Sequence, residues 1–365
     1  MRIDCLYKYL LPGRAIRSCQ GRDILCIAIA ALALAGCAKN VVDPIDPEPM
    51  VFSAIASHST KSIITTTNYP LDEPFVVKAV HYPEDKTTEG SVFMDRQVVN
   101  YDFEHALWRP VSDHFWPQDG TITFYAGSPD IPEVQVTEEN GVVANWSIPS
   151  EKYTQTDLCY GEVTENCKTH SALIPVVFSH ALSQICFKAR SLRNHSYSRQ
   201  EDNLIQANVI TVMLDSVKIG GIVSEGRFTQ KPKMWDLNHE VTSEYLVYKN
   251  EEGLELRCDR YDNPIFTVLS SMLLLPQPMT MAAYIEEWHH IIVRSSITDI
   301  NTGNIVSDVT NIFHKSARLP LMRKCEAWET DFKYTFRVAV GLEDTELAMA
   351  VTDWTETKEI IIGDE

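Results

Sequence analysis

The chain has 365 residues, with 32 Lys and Arg against 50 Asp and Glu, a formal charge of −18 and 44% hydrophobic residues. It is too apolar to be disordered and long enough for two domains with separate cores. The acidic balance, without a clustered basic face, argues against nucleic acid as a partner, and 15 glycines argue against phosphate-cradling loops or a collagen-like repeat.

In chain order, the first segment reads as an address. Arg2, Lys8, Arg14, Arg17 and Arg22 outnumber Asp4 and Asp23 in residues 1–23, and the 12 residues 24–35 are all apolar. At ~1.5 Å per residue this run reaches about 18 Å, short of a ~30 Å hydrocarbon core, so it is expected to be a signal peptide. It ends in Leu34-Ala35-Gly36-Cys37, the pattern of a bacterial lipoprotein lipobox. Small residues there let a peptidase reach the backbone, and the Cys37 thiol can carry the lipid. Residues 1–36 are then the removed leader, and Cys37 is the lipidated (diacylglycerol- and palmitate-bearing) first residue of the mature chain. The alternative is a secretory peptide with an incidental cysteine. Losing residues 1–36 removes five basic and two acidic residues and leaves 27 against 48, a charge of −21. Two or three acyl chains anchor far more firmly than one. The five later cysteines, Cys159, Cys167, Cys186, Cys258 and Cys325, are odd in number and do not form a disulfide framework.

Residues 37–49 carry Pro44, Pro47 and Pro49 between Asp43, Asp46 and Glu48, which reads as an extended, solvated linker. From Met50 onward the period is two. Phe52, Ala54 and Ala56 alternate with Ser53 and Ser57, with a lapse at Ile55. Ile122, Phe124 and Ala126 alternate with Thr121, Thr123 and Tyr125. Ile185, Phe187 and Ala189 alternate with polar neighbours, and Tyr334, Phe336, Val338 and Val340 share one face. Further strands are expected at 74–81, 206–216, 265–275, 281–285, 290–295 and 358–362, with turns at Ser128-Pro129-Asp130 and Asn301-Thr302-Gly303. No window offers a long, capped amphipathic helix and no short repeat is visible. The expected fold is all-β, two tandem antiparallel β-sandwiches over 50–165 and 166–365, meeting in the polar stretch 162–171.

Motifs for chemistry are mostly missing. There is no nucleophile elbow, dinucleotide fingerprint or P-loop, and His239-Glu240 lacks the second histidine of a zincin because position 243 is Ser. Cys159, Cys167 and His170 lie near one another in sequence but without the spacing of a zinc pair. His289 and His290 adjoin on an expected strand, so they point to opposite faces and read as solvated or edge histidines. No acidic pair stands out for glycoside hydrolysis. The expectation is therefore no catalytic residues, no metal and no cofactor. Trp108, Trp116, Trp235, Trp288, Trp328 and Trp354 are expected mainly in the core, with a sugar-stacking platform as the alternative. Lys61, in Ser59-Thr60-Lys61-Ser62, lies among small polar residues, a natural protease site or else a solvated lysine. Asp215-Ser216-Val217 matches a short O-glycosylation signal, which makes Ser216 a candidate.

Taken together, the residues carry a resemblance. The Cys37 lipobox, the Pro/Asp linker, Val51-Phe52-Ser53-Ala54 followed by Thr60-Lys61, Phe115-Trp116-Pro117 leading to Thr123-Phe124-Tyr125-Ala126, and Asp157-Leu158-Cys159-Tyr160-Gly161 follow in order. They continue with Val176-Val177-Phe178-Ser179-His180-Ala181-Leu182, Leu274-Leu275-Pro276-Gln277, Trp328 before Tyr334-Thr335-Phe336, and Trp354. This order resembles the fimbrillin family, lipoprotein pilus subunits of Bacteroidales-type bacteria. The resemblance implies two transthyretin-like sandwiches, export as an outer-membrane lipoprotein and a non-enzymatic role in a cell-surface pilus. It further implies that a trypsin-like protease cuts after Lys61 and releases the strand carrying Val51, Phe52, Ala54 and Ala56. A neighbouring subunit's strand then fills the groove, the candidate donor here being Ile360, Ile361 and Ile362. A lysine at the cut, where arginine is commoner, leaves open an uncut subunit that serves as an anchor or tip. The alternative is a surface glycan-binding lipoprotein of the outer membrane.

Overall fold

The structure is a computed structural model that describes residues 49–56, 67–84, 89–199, 203–258, 264–354 and 360–362. The chain divides into two units, Met1–Pro47 and Glu48–Glu365; the first, with the expected signal peptide and Cys37, lies outside the described residues. Among its described residues the second is all-β, with a single 3₁₀ turn at Lys152–Thr154.

Its first sheet has eight strands: β1 (Phe52–Ala56), β2 (Thr67–Asn68), β3 (Phe75–Tyr82), β4 (Ser91–Asp102), β5 (Leu107–Pro110), β6 (Thr121–Ser128), β9 (Cys159–Asn166) and β10 (Ile174–His180). The order is β10-β9-β6-β3-β4-β5-β1-β2, and β10 also pairs with β1, so the sheet closes on itself. Alternation explains the closure. Phe75, Val77 and Ala79 of β3 and Ile122, Phe124 and Ala126 of β6 point into one interior, with Phe52, Tyr69, Trp108, Ile174, Val176 and Phe178. Rings meet edge-on or stacked there, as Tyr69 does on Phe178 at 4.7 Å.

The outer face of β3 and β6 is buried too, which the half-polar pattern of 121–126 did not announce. A second sheet covers it: β7 (Val134–Thr137), β8 (Gly141–Ser147), β14 (Glu225–Thr229) and β15 (Met234–Leu237), in the order β15-β14-β8-β7. Val76, Val80 and Tyr125 pack there with Val134, Val136, Val142 and Ala144 in one continuous core. Gly127 permits the approach, since a Cβ would stand 3.0 Å from both Val134 and Val142 side chains.

The remaining strands form two facing sheets. One is β11 (Ser183–Ser191), β18 (Thr267–Leu274), β21 (Phe332–Val340), β22 (Thr345–Asp353) and β23 (Ile360–Ile362), ordered β18-β11-β21-β22-β23. The other is β12 (His195–Arg199), β13 (Leu204–Val223), β16 (Thr242–Cys258), β17 (Pro264–Ile265), β19 (Tyr284–Asp299) and β20 (Ile305–Pro320), with β13 at its centre. Phe187, Phe336 and Val338 face Val212, Leu214 and Ile219 across the layer in that same continuous core. At Gly221, φ is +69° and a Cβ would stand 2.2 Å from the Ala282 carbonyl, so only glycine fits.

The chain does not partition cleanly where composition placed a boundary. The 165/166 position falls at the end of β9, and β10 beyond it still pairs with β9 and β1. The β14–β15 hairpin returns from the later half to pair with β8. The expected strands 281–285 and 290–295 are one strand, β19, which runs unbroken through Glu287 and His289. This corrects the reading of His289 as solvated: it is 2% exposed on the inner face, and its Nδ1 donates to Glu287 Oε2 at 2.5 Å. His290 on the other face bonds Asp215 at 2.8 Å.

Candidate functional site

The strand with the most consequential position is β1. Phe52 and Ile55 favour extended backbone, and the strand holds no Gly or Pro. It lies parallel to β10 over five pairs, from Phe52↔Ile174 to Ala56↔Phe178. Its other edge is shared between β5, at Phe52↔Trp108, and β2, at Ile55↔Asn68 and Ala56↔Thr67. Just before it, Met50 is buried and its N–H donates to the His114 carbonyl at 2.7 Å. Phe52 meets Phe75 and Phe124 edge-on, at 6.2 and 5.7 Å between centroids.

Among the described strands of this sheet, β1 makes the one parallel pairing and links β10 to β5. The rest, β10-β9-β6-β3-β4-β5, is continuous through antiparallel ladders that do not involve β1. Without β1 the ring would open along one seam. The seam would bare the backbone edge of β10 and the ring faces of Phe75 and Phe124 that Phe52 now covers.

The sequence-predicted residues fall as follows. Phe52 is buried, Ala54 packs against the aromatic interior, and Val51 and Ala56 are half-buried. Lys61 lies outside the described residues, as does Cys37. The backbone of Ile360, Ile361 and Ile362 pairs with Val351, Ala350 and Met349, so β23 borders the sheet of β11 and β21 rather than the ring of β1. Ser216 is half-buried on β13, at the register shift beside Asp215. Trp108 and Trp328 are buried and Trp235 bonds the Ala181 carbonyl, whereas Trp288 is 51% exposed. Trp108 and Trp328 are therefore core residues and do not contribute to a surface sugar platform.

A second cluster joins residues that sequence alone could not bring together. Cys159 opens β9 and His180 closes β10, and the two are directly paired across the ladder. Asp157 stands two residues before Cys159. His180 Nδ1 lies 2.5 Å from Asp157 Oδ2, Cys159 Sγ lies 3.5 Å from the same oxygen, and Sγ lies 3.7 Å from Nδ1. The His180 N–H donates to Asp331 Oδ1 at 3.2 Å, and Trp354 stacks on the imidazole at 3.9 Å and 7°. Burial acts to lower the His180 pKa, but the Asp157 charge and hydrogen bond outweigh it and hold the pKa above its usual value. Burial, then Asp157, pushes the Cys159 thiol well above its ordinary range. This is not a nucleophile triad, because both thiol and carboxylate address the same ring nitrogen and the thiol is held protonated. The cysteine–histidine grouping weighed from sequence is not formed: His170 stacks on Trp116 at 4.1 Å, and Cys167 is tied by its N–H to the Gly120 carbonyl.

Two carboxylates, Glu225 and Asp236, line a shallow depression on the four-stranded sheet beside Arg227 and Trp146. The other polar grouping is interior. Glu287 is fully buried, accepts from His289 and from Thr345 Oγ1 at 2.9 Å, and ties β19 to β22.

Comparison with known proteins bears on this architecture. No curated protein matches the chain. Among solved structures, a fimbrial protein from Bacteroides vulgatus superposes with a TM-score of 0.55 at 13% identity, covering 84% of this chain and 99% of that one. Two proteins provisionally described as cell-adhesion proteins, from Bacteroides uniformis and Bacteroides ovatus, each give a TM-score of 0.48 at 13% and 14% identity. They cover 84% and 86% of this chain and 98% and 99% of their own. At such identities the likeness to the first is one of fold. The fimbrillin-like family model matches residues 66–354, and the chain belongs to the fimbrillin-like family.

Proposed function

We propose that the chain is a non-enzymatic structural subunit of a cell-surface pilus that joins its neighbours by exchange of a β-strand. Family membership and the fold supply the class of function. The observation that carries the mechanism is β1: a short strand that closes an aromatic-lined ring whose other ladders do not depend on it. Hydrolysis of the peptide bond after Lys61 would free the segment holding Val51, Phe52, Ala54 and Ala56. The opened seam would then present unpaired backbone groups beside apolar pockets, and a strand supplied by another subunit repairs both defects at once. Ile360, Ile361 and Ile362 are the proposed donor, since a strand at the border of its sheet, paired over three residues, can be given up at small cost. Cys37 is the proposed lipid anchor, which places the chain at the outer membrane until the cut; Ser216 is a proposed glycosylation site.

The experiment is limited trypsin digestion of the full chain, followed by intact mass and by oligomer size. A discrete species beginning at Ser62, with loss of the N-terminal segment and growth of oligomers that Ile361→Asp blocks, is the expected result. Digestion without a species beginning at Ser62, or trimmed chains that stay monomeric, would overturn strand exchange at this seam. Mass analysis of membrane-extracted material against Cys37→Ser tests the anchor.

A further inference from the structure

Asp157, Cys159 and His180 form a set that the pilus reading does not use. Their donor atoms lie within 4.8 Å of one another, and they are the one such group of three among the described residues. We propose that they bind one divalent cation of the zinc class, a site that goes beyond strand exchange and does not depend on it.

The geometry carries the argument. A tetrahedral zinc ion with bonds of about 2.3 Å to sulfur and about 2.0–2.2 Å to nitrogen and oxygen sets its donors about 3.6 Å apart on edges to sulfur and about 3.4 Å on the nitrogen–oxygen edge. The two edges to Cys159 Sγ already measure 3.5 and 3.7 Å. The third, 2.5 Å between His180 Nδ1 and Asp157 Oδ2, is a hydrogen bond with its proton between the two atoms. A cation that displaces this proton lets that edge open by about 0.9 Å, within the reach of a carboxylate rotation.

The scaffold is rigid where it needs to be. Cys159 and His180 are direct cross-strand partners, and Asp157, two residues before β9, brings its carboxylate to the Cys159 thiol. Asp157 Oδ1 is buried without a hydrogen-bond partner, an orphaned acceptor facing a site where a cation would neutralise the carboxylate. Thiolate, imidazole and carboxylate together select zinc-like ions over calcium or magnesium. Atoms balance simply: the Cys159 thiol gives its proton to solvent. The Nδ1 proton also leaves to solvent from an imidazolium, or reappears on Nε2 when the ring is neutral. Trp354, stacked on the ring, shields the site on one side.

The test uses the full chain, stripped with chelator under reducing conditions and titrated with Co²⁺, then Zn²⁺. The expected result is a thiolate-to-cobalt charge-transfer band with tetrahedral-type visible absorption, saturating at one ion per chain and bleached by Zn²⁺. The band should vanish in Cys159→Ser, and affinity should fall about tenfold or more in Asp157→Asn and in His180→Gln. Cysteines elsewhere are controlled by the difference between wild type and Cys159→Ser. Should a polar variant fold poorly, Cys159→Ala keeps the shape, and Zn²⁺ should raise the melting temperature of wild type but not of that variant. A band that persists in Cys159→Ser, or no band and no zinc-dependent shift in wild type, would overturn the site.

Discussion

At the scale of residues, the decisive side chains are those whose environment differs on their two sides. Phe52 fills the ring interior against Phe75 and Phe124, so Phe52→Ala should lose its transfer energy and leave a cavity. A destabilisation of about 3–5 kcal/mol is expected, read from denaturant melts of the uncut chain. Glu287 and His289 make the opposite kind of point. Neither is solvated, and His289 Nδ1 and Thr345 Oγ1 between them supply the hydrogen bonds of the Glu287 carboxylate inside a sandwich. His289→Leu should therefore cost more than the lost contact, about 3–5 kcal/mol, because it strands a buried carboxylate. The double variant Glu287→Leu with His289→Leu should recover much of that loss, and the same melts measure it. Sequence placed the two histidines on opposite faces of one strand. It could not show that the inner face at that point is buried, because burial is set by the sheet of β22, whose Thr345 is 58 residues from Glu287.

At the scale of elements, legibility followed polarity. Strands with strongly apolar sequences, β3, β6, β11 and β21, were visible in the sequence because alternate residues of each fill a core, and in β3 and β6 much of the other face is buried as well. The long strands β4, β16 and β20 were not, since much of each is exposed and the residues are polar or charged; Asn250-Glu251-Glu252-Gly253 inside β16 even reads as a turn. Their pairing comes from the partner strand rather than from their own pattern. β20 borders its sheet, pairs on one side with β19, and carries exposed Val309, Ile312 and Phe313. Its outward-facing amides should exchange hydrogen much faster than those of β19 and β13, which are bonded on both sides, and mass-spectrometric exchange resolved to peptides checks it. The strand pairing of β1 belongs to this scale as well. Sequence marked 50–56 as a strand, but that it closes a ring in parallel with β10 was decided by chain path alone.

At the scale of the molecule, the sheets share more than a boundary in sequence would imply. One apolar core runs from the outer face of β3 and β6 through the four-stranded sheet into the two facing sheets. The four-stranded sheet itself is built from residues 134–147 and 225–237. A fragment of residues 49–165 lacks β10 and the β14–β15 hairpin. It should therefore fail to melt cooperatively, whereas a fragment of residues 49–354 should melt as one transition by calorimetry.

By itself, the sequence determined the all-β class, the aromatic content of the core and the order of motifs that resembles the family, because these depend on local period and composition. Tertiary structure alone decided which strand closes the ring, that β10 belongs with β9 and β1, that Glu287 and His289 are interior, and that Asp157, Cys159 and His180 meet. Each depends on how separate strands pair and pack. No local pattern records such contacts, because what fixes them is the mutual burial of faces that exist only once the sheets have formed.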